Sequence, residues 1–261
     1  MGEKAIKWPA SITLMRHAVS AYNDLKRQWV GDPDYERFVT LYNTDFHNPE
    51  TLRLARVIKS RYALGCSDAD TPATKAGLED ALITGSRLHE VMELPTTIFV
   101  SPYKRTKQTL AAVIKGWPAL GNVRIVEDPR LREQEHGLST VYNNWMVFHA
   151  HHPEQKELYD LDGSFRYRYP QGENGYDVQD RGRDIFGTWI RDYRGERLFV
   201  VTHHLTILTV ATLISRGGEQ EFKDLDKHHK PVNCGLTQYV CDPDQGKEGK
   251  LIQRYYNRKL Y

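Results

Sequence analysis

The chain has 261 residues, 39% of them hydrophobic and 27% charged, a composition that excludes a disordered chain, a collagen and a coiled coil. At this length roughly 70–75% of the unfolded surface is buried on folding, enough for a core without disulfides or metal. Lys and Arg number 36 against 34 Asp and Glu, a formal net charge of +2, too balanced to imply nucleic acid or an anionic membrane as the main partner, so that neither is expected and any cationic site must be a local cluster.

In chain order, Ser11–Met15 (SITLM) is a short apolar run that stops at Arg16-His17 and reads as a buried strand. The segment 24–70 is rich in aromatics, charge and Pro; within it Tyr35, Phe38, Tyr42 and Phe46 recur at spacings of three and four, as on an amphipathic helix. A helix is predicted over 74–94, opened by Pro72 and a Thr cap, with Gly85 as a weak spot. Thr97–Val100 (TIFV) predicts a second strand, Lys104–Ile114 a helix and Val123–Val126 a third strand. The segment 138–171 again departs from the alternation. In it, Phe165–Tyr169 fits a core or edge strand with three aromatics on one face and Arg166 with Arg168 on the other. That arginine face either overlooks a site and reads a second anionic group or is an ordinary charged surface. Asp184–Arg194 predicts an amphipathic helix, Leu198–Thr202 (LFVVT) a fourth strand, and about His204 to Ser215 a helix. The polar run Asp224–Lys230, with His228 and His229, reads as a solvated loop, and Gln238–Cys241 with Leu251–Tyr255 as a closing hairpin.

Strands alternating with helices imply an α/β fold: a three-layer α/β/α sandwich with a mostly parallel central sheet. The whole chain, 1–261, reads as one domain, with 24–70 and 138–171 as insertions over the strand carboxyl ends. Ligands bind beyond those ends, and three strands stop at polar sequence there: Arg16-His17, Ser101-Pro102 and His203-His204. Arg suits a phosphate in a bidentate way, and a neutral His is a nucleophile near neutral pH. Strand ends that carry both have the means of phosphoryl transfer: cations for a dianion, a nucleophile and an acid.

The three cysteines, Cys66, Cys234 and Cys241, suit reduced thiols in the cytoplasm. Met1–Pro9 has no apolar signal-peptide core, Gly2 is followed by Ile6 where a myristoylation signal wants Ser or Thr, and no apolar run approaches the ~20 residues of a membrane span. His149, His151 and His152 have no Cys or carboxylate at ligand spacing and read as surface or substrate-rim residues rather than a metal site. The five tryptophans are scattered and read as packing.

Arg16-His17-Ala18-Val19-Ser20-Ala21-Tyr22-Asn23 resembles the Arg-His-Gly-Glu-Ser-x-Trp-Asn signature of the histidine phosphatase (phosphoglycerate mutase-like) superfamily. In the same order, Thr74-Lys75-Ala76-Gly77 is similar to its Thr-x-x-Gly, and Ser101 to Thr109 to its Ser-x-x-x-Arg-x-x-x-Thr. Leu131-Arg132-Glu133 matches its Leu-x-Glu, and Val200 to His204 its second histidine motif. His152-Pro153-Glu154 and Tyr167 to Glu173 also resemble the bisphosphatase domain of the bifunctional fructose-2,6-bisphosphate enzymes, and acid phosphatases with Pro-x-Gly-Glu-Ser. Asn174 stands in place of that Ser, and Gln171 where the sugar enzymes often carry Lys.

The resemblance implies a phosphoglycerate mutase-like fold and a phosphomonoesterase. His17 would become phosphohistidine, and Arg16, Arg105 and His203 would neutralise the phosphoryl oxygens. Glu133, preferred over Glu135 by the Leu-x-Glu spacing, would serve as acid and then base. Asn23 would add a neutral donor, with Ser20, His204, Arg168 and Glu173 as further substrate-binding residues. No metal and no cofactor is implied. The partner is a small phosphorylated metabolite such as a sugar phosphate, with a homodimer compatible. A phosphoglycerate-type mutase and a low-turnover phosphate binder are the alternatives. Two positions depart from the pattern. Ala18 replaces a Gly, which costs energy if the backbone needs positive φ. His204 replaces a common Gly, and register alone leaves open which of His203 and His204 faces the site.

Overall fold

The computed structural model describes residues 6–261, so the reading of Gly2 lies outside the described residues. In chain order the elements are β1 (Ser11–Arg16), α1 (Ala21–Gln28), α2 (Pro33–Thr44), α3 (Pro49–Arg61), α4 (Lys75–Arg87), β2 (Thr97–Val100), α5 (Lys104–Gly116), β3 (Arg124–Glu127), α6 (Trp145–His151), α7 (Pro153–Arg166), α8 (Gly175–Asp192), β4 (Arg197–Thr202), α9 (His204–Ser215), α10 (Glu219–His228), β5 (Leu236–Asp242) and β6 (Lys250–Arg258). They fall into two compact units: 6–19, 72–133 and 178–261 form the first, 20–71 and 134–177 the second.

The first unit carries the sheet, in the order β3-β2-β4-β1-β5-β6. β3, β2, β4 and β1 run parallel, β5 is antiparallel to β1, and β6 antiparallel to β5. The apolar runs of β1, β2 and β4 follow from burial on both faces. On one face Ile12, Leu14, Phe99, Leu198 and Val200 pack with Ile185 and Trp189 of α8 and Ile207 and Val210 of α9. On the other, Met15, Ile98, Val100, Phe199 and Val201 pack with Ala81 of α4 and Leu110 and Val113 of α5. This is the expected α/β/α sandwich with a mostly parallel sheet.

Gly85 has a packing reason. A Cβ there would lie 2.4 Å from the Val113 carbonyl oxygen, and one on Gly116 would lie 2.3 Å from that of Leu82, so α4 and α5 cross with their backbones touching. α4 also stops short of the predicted 94: the chain tightens into a 3-10 turn over Leu88–Glu90. β3 sits one residue later than expected. α8 begins nine residues earlier than Asp184, because Asn174 and Asp177 cap its start reciprocally: the Asp177 N–H donates to Asn174 Oδ1 (3.1 Å) and the Asn174 N–H to Asp177 Oδ2 (2.8 Å). The run expected as a loop from Asp224 belongs, up to His228, to α10, whose apolar anchor is the buried Phe222.

The second unit is helical. Its segment 20–71 holds α1, α2 and α3, begun by side-chain caps from Ser20, Asp32 and Asn48, with Pro33 and Pro49 as the first helical residues of α2 and α3. Leu25, Trp29, Phe38, Tyr42, Leu54, Ile58 and Val147 form its core. His149 was expected at the surface; it is fully buried, with Nδ1 2.8 Å from the Tyr42 hydroxyl. Phe165–Tyr169 is no strand, since α7 runs to Arg166 and an extended turn follows. The alternation nevertheless survives as burial: Phe165, Tyr167 and Tyr169 are inside, Arg166 and Arg168 exposed. Among the described residues, no helix is long and apolar enough to cross a membrane.

Candidate active site

Met15, Val201 and Val100 are level across β1, β4 and β2. The residues that follow them, Arg16-His17, Thr202-His203 and Ser101, therefore leave the sheet side by side at the carboxyl ends of three parallel strands. β5 is antiparallel to β1, so the loop that precedes it, 231–234, arrives at the same end.

His17 is buried and tied at both ends. Its backbone N–H donates to the Thr202 carbonyl at 2.9 Å, and its own carbonyl accepts from Asn233 Nδ2 at 2.9 Å. The ring Nδ1 lies 2.7 Å from the Ala18 carbonyl oxygen. A carbonyl only accepts, so Nδ1 carries the proton and Nε2 keeps its lone pair. Burial first, then the charges of Arg105 and Arg16, push this imidazole well below its ordinary 6.5, against the opposing pull of the Ala18 bond. Ala18 lies outside the positive-φ region, and its N–H donates to Thr109 Oγ1 at 2.9 Å. The Gly-to-Ala departure is accommodated without strain.

Arg16 ends β1. Its Nη1 donates to the Pro231 carbonyl at 2.7 Å, and its own carbonyl accepts from the Cys234 N–H at 3.0 Å, where Cys234 holds a φ of +55°. Burial lowers its pKa, Glu133 opposes that, and Arg105 adds to it. Arg105, the second residue of α5, is buried with its guanidinium 4.9 Å from the Tyr103 ring centroid.

His203 caps α9 and is fully buried, its ring 5.1 Å from that of His17 and edge-on to Tyr103. Its Nε2 lies 2.7 Å from Ser101 Oγ, which also accepts from the Tyr103 N–H at 3.4 Å. With the Ser101 hydroxyl donating to Nε2, Nδ1 is the protonated nitrogen. Burial, Arg105 and His17 hold this imidazole well below 6.5. His204 turns the other way, its Nε2 2.9 Å from Asp226 Oδ1 on α10. Burial raises that carboxyl, but His204 and Lys230 outweigh it and hold it below the usual range. The register left open by the sequence is decided: His203 meets His17, and His204 meets Asp226.

Glu133 reaches the first turn of α9, where the Leu205 N–H donates to its Oε1 at 3.3 Å. Arg16 Nε and His203 Nδ1 are buried with no hydrogen-bond partner among the described residues. Buried polar atoms of this kind are normally satisfied, and an anion beside Arg16 and a His203 protonated on Nδ1 would satisfy both.

The other candidates belong to the second unit. Ser20 and Asn23 form the capping box of α1: Asn23 Oδ1 accepts from the Ser20 N–H (3.1 Å) and hydroxyl (3.0 Å). Arg168 Nη2 donates to Asp177 Oδ1 at 2.7 Å. Glu173 is buried, and its Oε2 accepts from the Glu135 N–H at 3.1 Å. Among the described residues, no three His, Cys, Asp or Glu side chains are placed to hold a metal ion. Sequence reasoning missed Asn233 and Arg181. Asn233 was recoverable, because a loop before a strand antiparallel to β1 must start at the site end. Arg181 lies in a charged stretch (Asp180 to Asp184) that carries no local signal.

The family model for the histidine phosphatase superfamily (branch 1) matches residues 59–252, more than half of the chain and including Arg105, Glu133 and His203. Two phosphoglycerate mutase-like proteins of Arabidopsis thaliana are similar in sequence. One is 28% identical over 61% of this chain and 61% of its own length, the other 30% identical over 53% and 44%. The chain thus matches only about half of these relatives' length. The crystal structure of the alpha-ribazole phosphatase from Shigella flexneri shares the fold, with a TM-score of 0.64 and 16% identity over 95% of this chain and 96% of that one.

Proposed function

The chain belongs to the histidine phosphatase superfamily, and from that premise we propose that it is a phosphomonoesterase acting on a small phosphorylated metabolite through a phosphohistidine on His17. The observation that carries this reading is the His17 ring: Nδ1 donates to Ala18, so Nε2 keeps its lone pair as a nucleophile, on a ring held neutral by burial and by the charges of Arg105 and Arg16. Nε2 attacks phosphorus, the P–N bond forms as the ester P–O bond breaks, and the leaving oxygen takes a proton from the Glu133 carboxyl. Water then attacks phosphorus and gives a proton to the Glu133 carboxylate. The P–N bond breaks, releasing inorganic phosphate and neutral His17. Arg16, Arg105 and the Nδ1–H of His203 balance the charge on the transferring oxygens, which is most of what phosphoryl transfer asks of a protein.

The substrate class to try first is sugar phosphates, for the resemblance of the segment from Tyr167 to Glu173. Phosphate release is measured over a panel of phosphoesters, with a search for acid-labile phosphate on the protein. Release by the wild-type chain, phosphate on His17 and loss of both in His17→Ala are expected. No release from any ester, or an undiminished rate in His17→Ala, overturns the reading. Interconversion of 2- and 3-phosphoglycerate faster than hydrolysis makes the protein a mutase instead.

A further inference from the structure

Glu133 sits two residues beyond a short 3-10 turn, Pro129–Leu131, where neither helix nor strand gives its backbone a fixed course. Three side chains from elsewhere in the first unit supply one. Arg181 of α8 donates from Nη1 to the Arg130 carbonyl and to the Arg132 carbonyl, both at 2.8 Å. Thr202, the last residue of β4, donates to the Leu131 carbonyl at 2.8 Å, and Thr206 of α9 to the Arg132 carbonyl at 2.9 Å. Three consecutive carbonyls just before Glu133 are therefore gripped by charged or hydroxyl donors. Two of those donors flank His203 in sequence, and the Glu133 carboxyl is fastened to the same helix start at Leu205.

The geometry points to Arg181 as a positioning residue for Glu133. Its guanidinium bridges the carbonyls on either side of Leu131 and so sets the direction in which the proton-transferring carboxyl leaves the backbone. The inference rests on the proposed role of Glu133. Both bonds leave one guanidinium nitrogen and are charge-assisted, so each is stronger than a bond from a neutral donor to the same carbonyl. Their loss frees the carboxyl by on the order of an ångström, a displacement that costs about 10²-fold in a step that depends on orientation.

The test separates positioning from folding through the leaving group. A p-nitrophenolate departs without a proton, whereas an alkoxide needs one. Full-length wild type, Arg181→Met, Arg181→Lys and Thr206→Val are compared in single-turnover release from p-nitrophenyl phosphate and from glycerol phosphate, with Glu133→Gln as reference. Arg181→Met is expected to copy Glu133→Gln. Single-turnover cleavage of glycerol phosphate at saturation falls about 10²-fold with KM within a few-fold, single-turnover release of p-nitrophenolate changes by no more than a few-fold, and phosphohistidine accumulates because its hydrolysis also uses Glu133. Arg181→Lys restores part of the loss. Thr206→Val, which removes one bond to the same carbonyl and keeps the side-chain shape, gives the same pattern at smaller size and serves if Arg181→Met does not fold. An equal loss on both esters, or a loss confined to KM, overturns the inference. If Glu133→Gln shows the leaving-group dependence and the Arg181 and Thr206 variants do not, positioning alone fails. If wild type cleaves neither ester, both readings fall.

Discussion

The His17 imidazole has its tautomer set by the Ala18 carbonyl, which can only accept, and this makes pH a direct probe of that residue. His17 is pressed below 6.5 by burial, Arg105 and Arg16. A depressed pKa keeps the ring neutral, and so nucleophilic, as pH falls through 6.5. The expected kcat/KM therefore shows no acid limb at that pH and declines only lower. Arg105→Ala removes the larger of the two charge effects: the limb moves up toward 6.5, and the rate drops by on the order of 10²–10³ with the lost charge. A wild-type limb at 6.5 in the pH–rate profile contradicts the assigned environment. Ala18 offers a second single-residue check. With its backbone outside the positive-φ region, Ala18→Gly relieves nothing and costs roughly 0.5–1 kcal/mol of stability, read by denaturant unfolding.

The elements are explained by caps and close approaches more than by hydrophobic period. Strands β1, β2 and β4 were legible because a short unbroken apolar run has few other uses in a soluble chain. Within 20–71 the spacing of Tyr35, Phe38 and Tyr42 pointed to the helix that is α2, but α1 and α3 were not read, since charges obscure their stripe. A signal for α2 and α3 lay in Asp32-Pro33 and Asn48-Pro49, a cap followed by a proline at the first helical position. Phe165–Tyr169 shows the converse: period-two burial without any ladder, because an extended turn alternates its side chains as a strand does. Gly85 is the test at this scale. Gly85→Ala raises intrinsic helix propensity, yet its Cβ would sit 2.4 Å from a backbone oxygen of α5. The expected result is a loss of about 1–3 kcal/mol in thermal or denaturant unfolding, and a gain in stability would contradict the crossing described.

For the molecule as a whole, two consequences follow from where its ionisable groups sit. Guanidinium groups carry the charge of the proposed site, so prolonged dialysis against EDTA is expected to leave phosphate release unchanged; restoration of a lost rate by added metal would contradict this. Acid stability is the other. Burial, with the Lys156 charge adding to it, lowers His149 from 6.5 to about 4. Between those values the unfolded chain binds a proton that the folded chain refuses, so stability is full above 6.5 and falls as pH drops toward 4, by on the order of 3 kcal/mol for this residue. His17 and His203 act in the same direction. His149→Leu should flatten part of the decline in melting temperature between pH 7 and pH 5, and an unchanged slope would remove His149 from the account. By itself the order of residues determined the sandwich, its parallel strands and the set of strand-end cations, because apolar runs and the polar residues that end them are local in the chain. Only the tertiary structure decided that His203 and not His204 meets His17, that Ala18 fits, and that Arg181 grips the backbone before Glu133. Those outcomes depend on strand register and on donors from remote helices reaching particular carbonyls, and neither is written in any contiguous stretch of sequence.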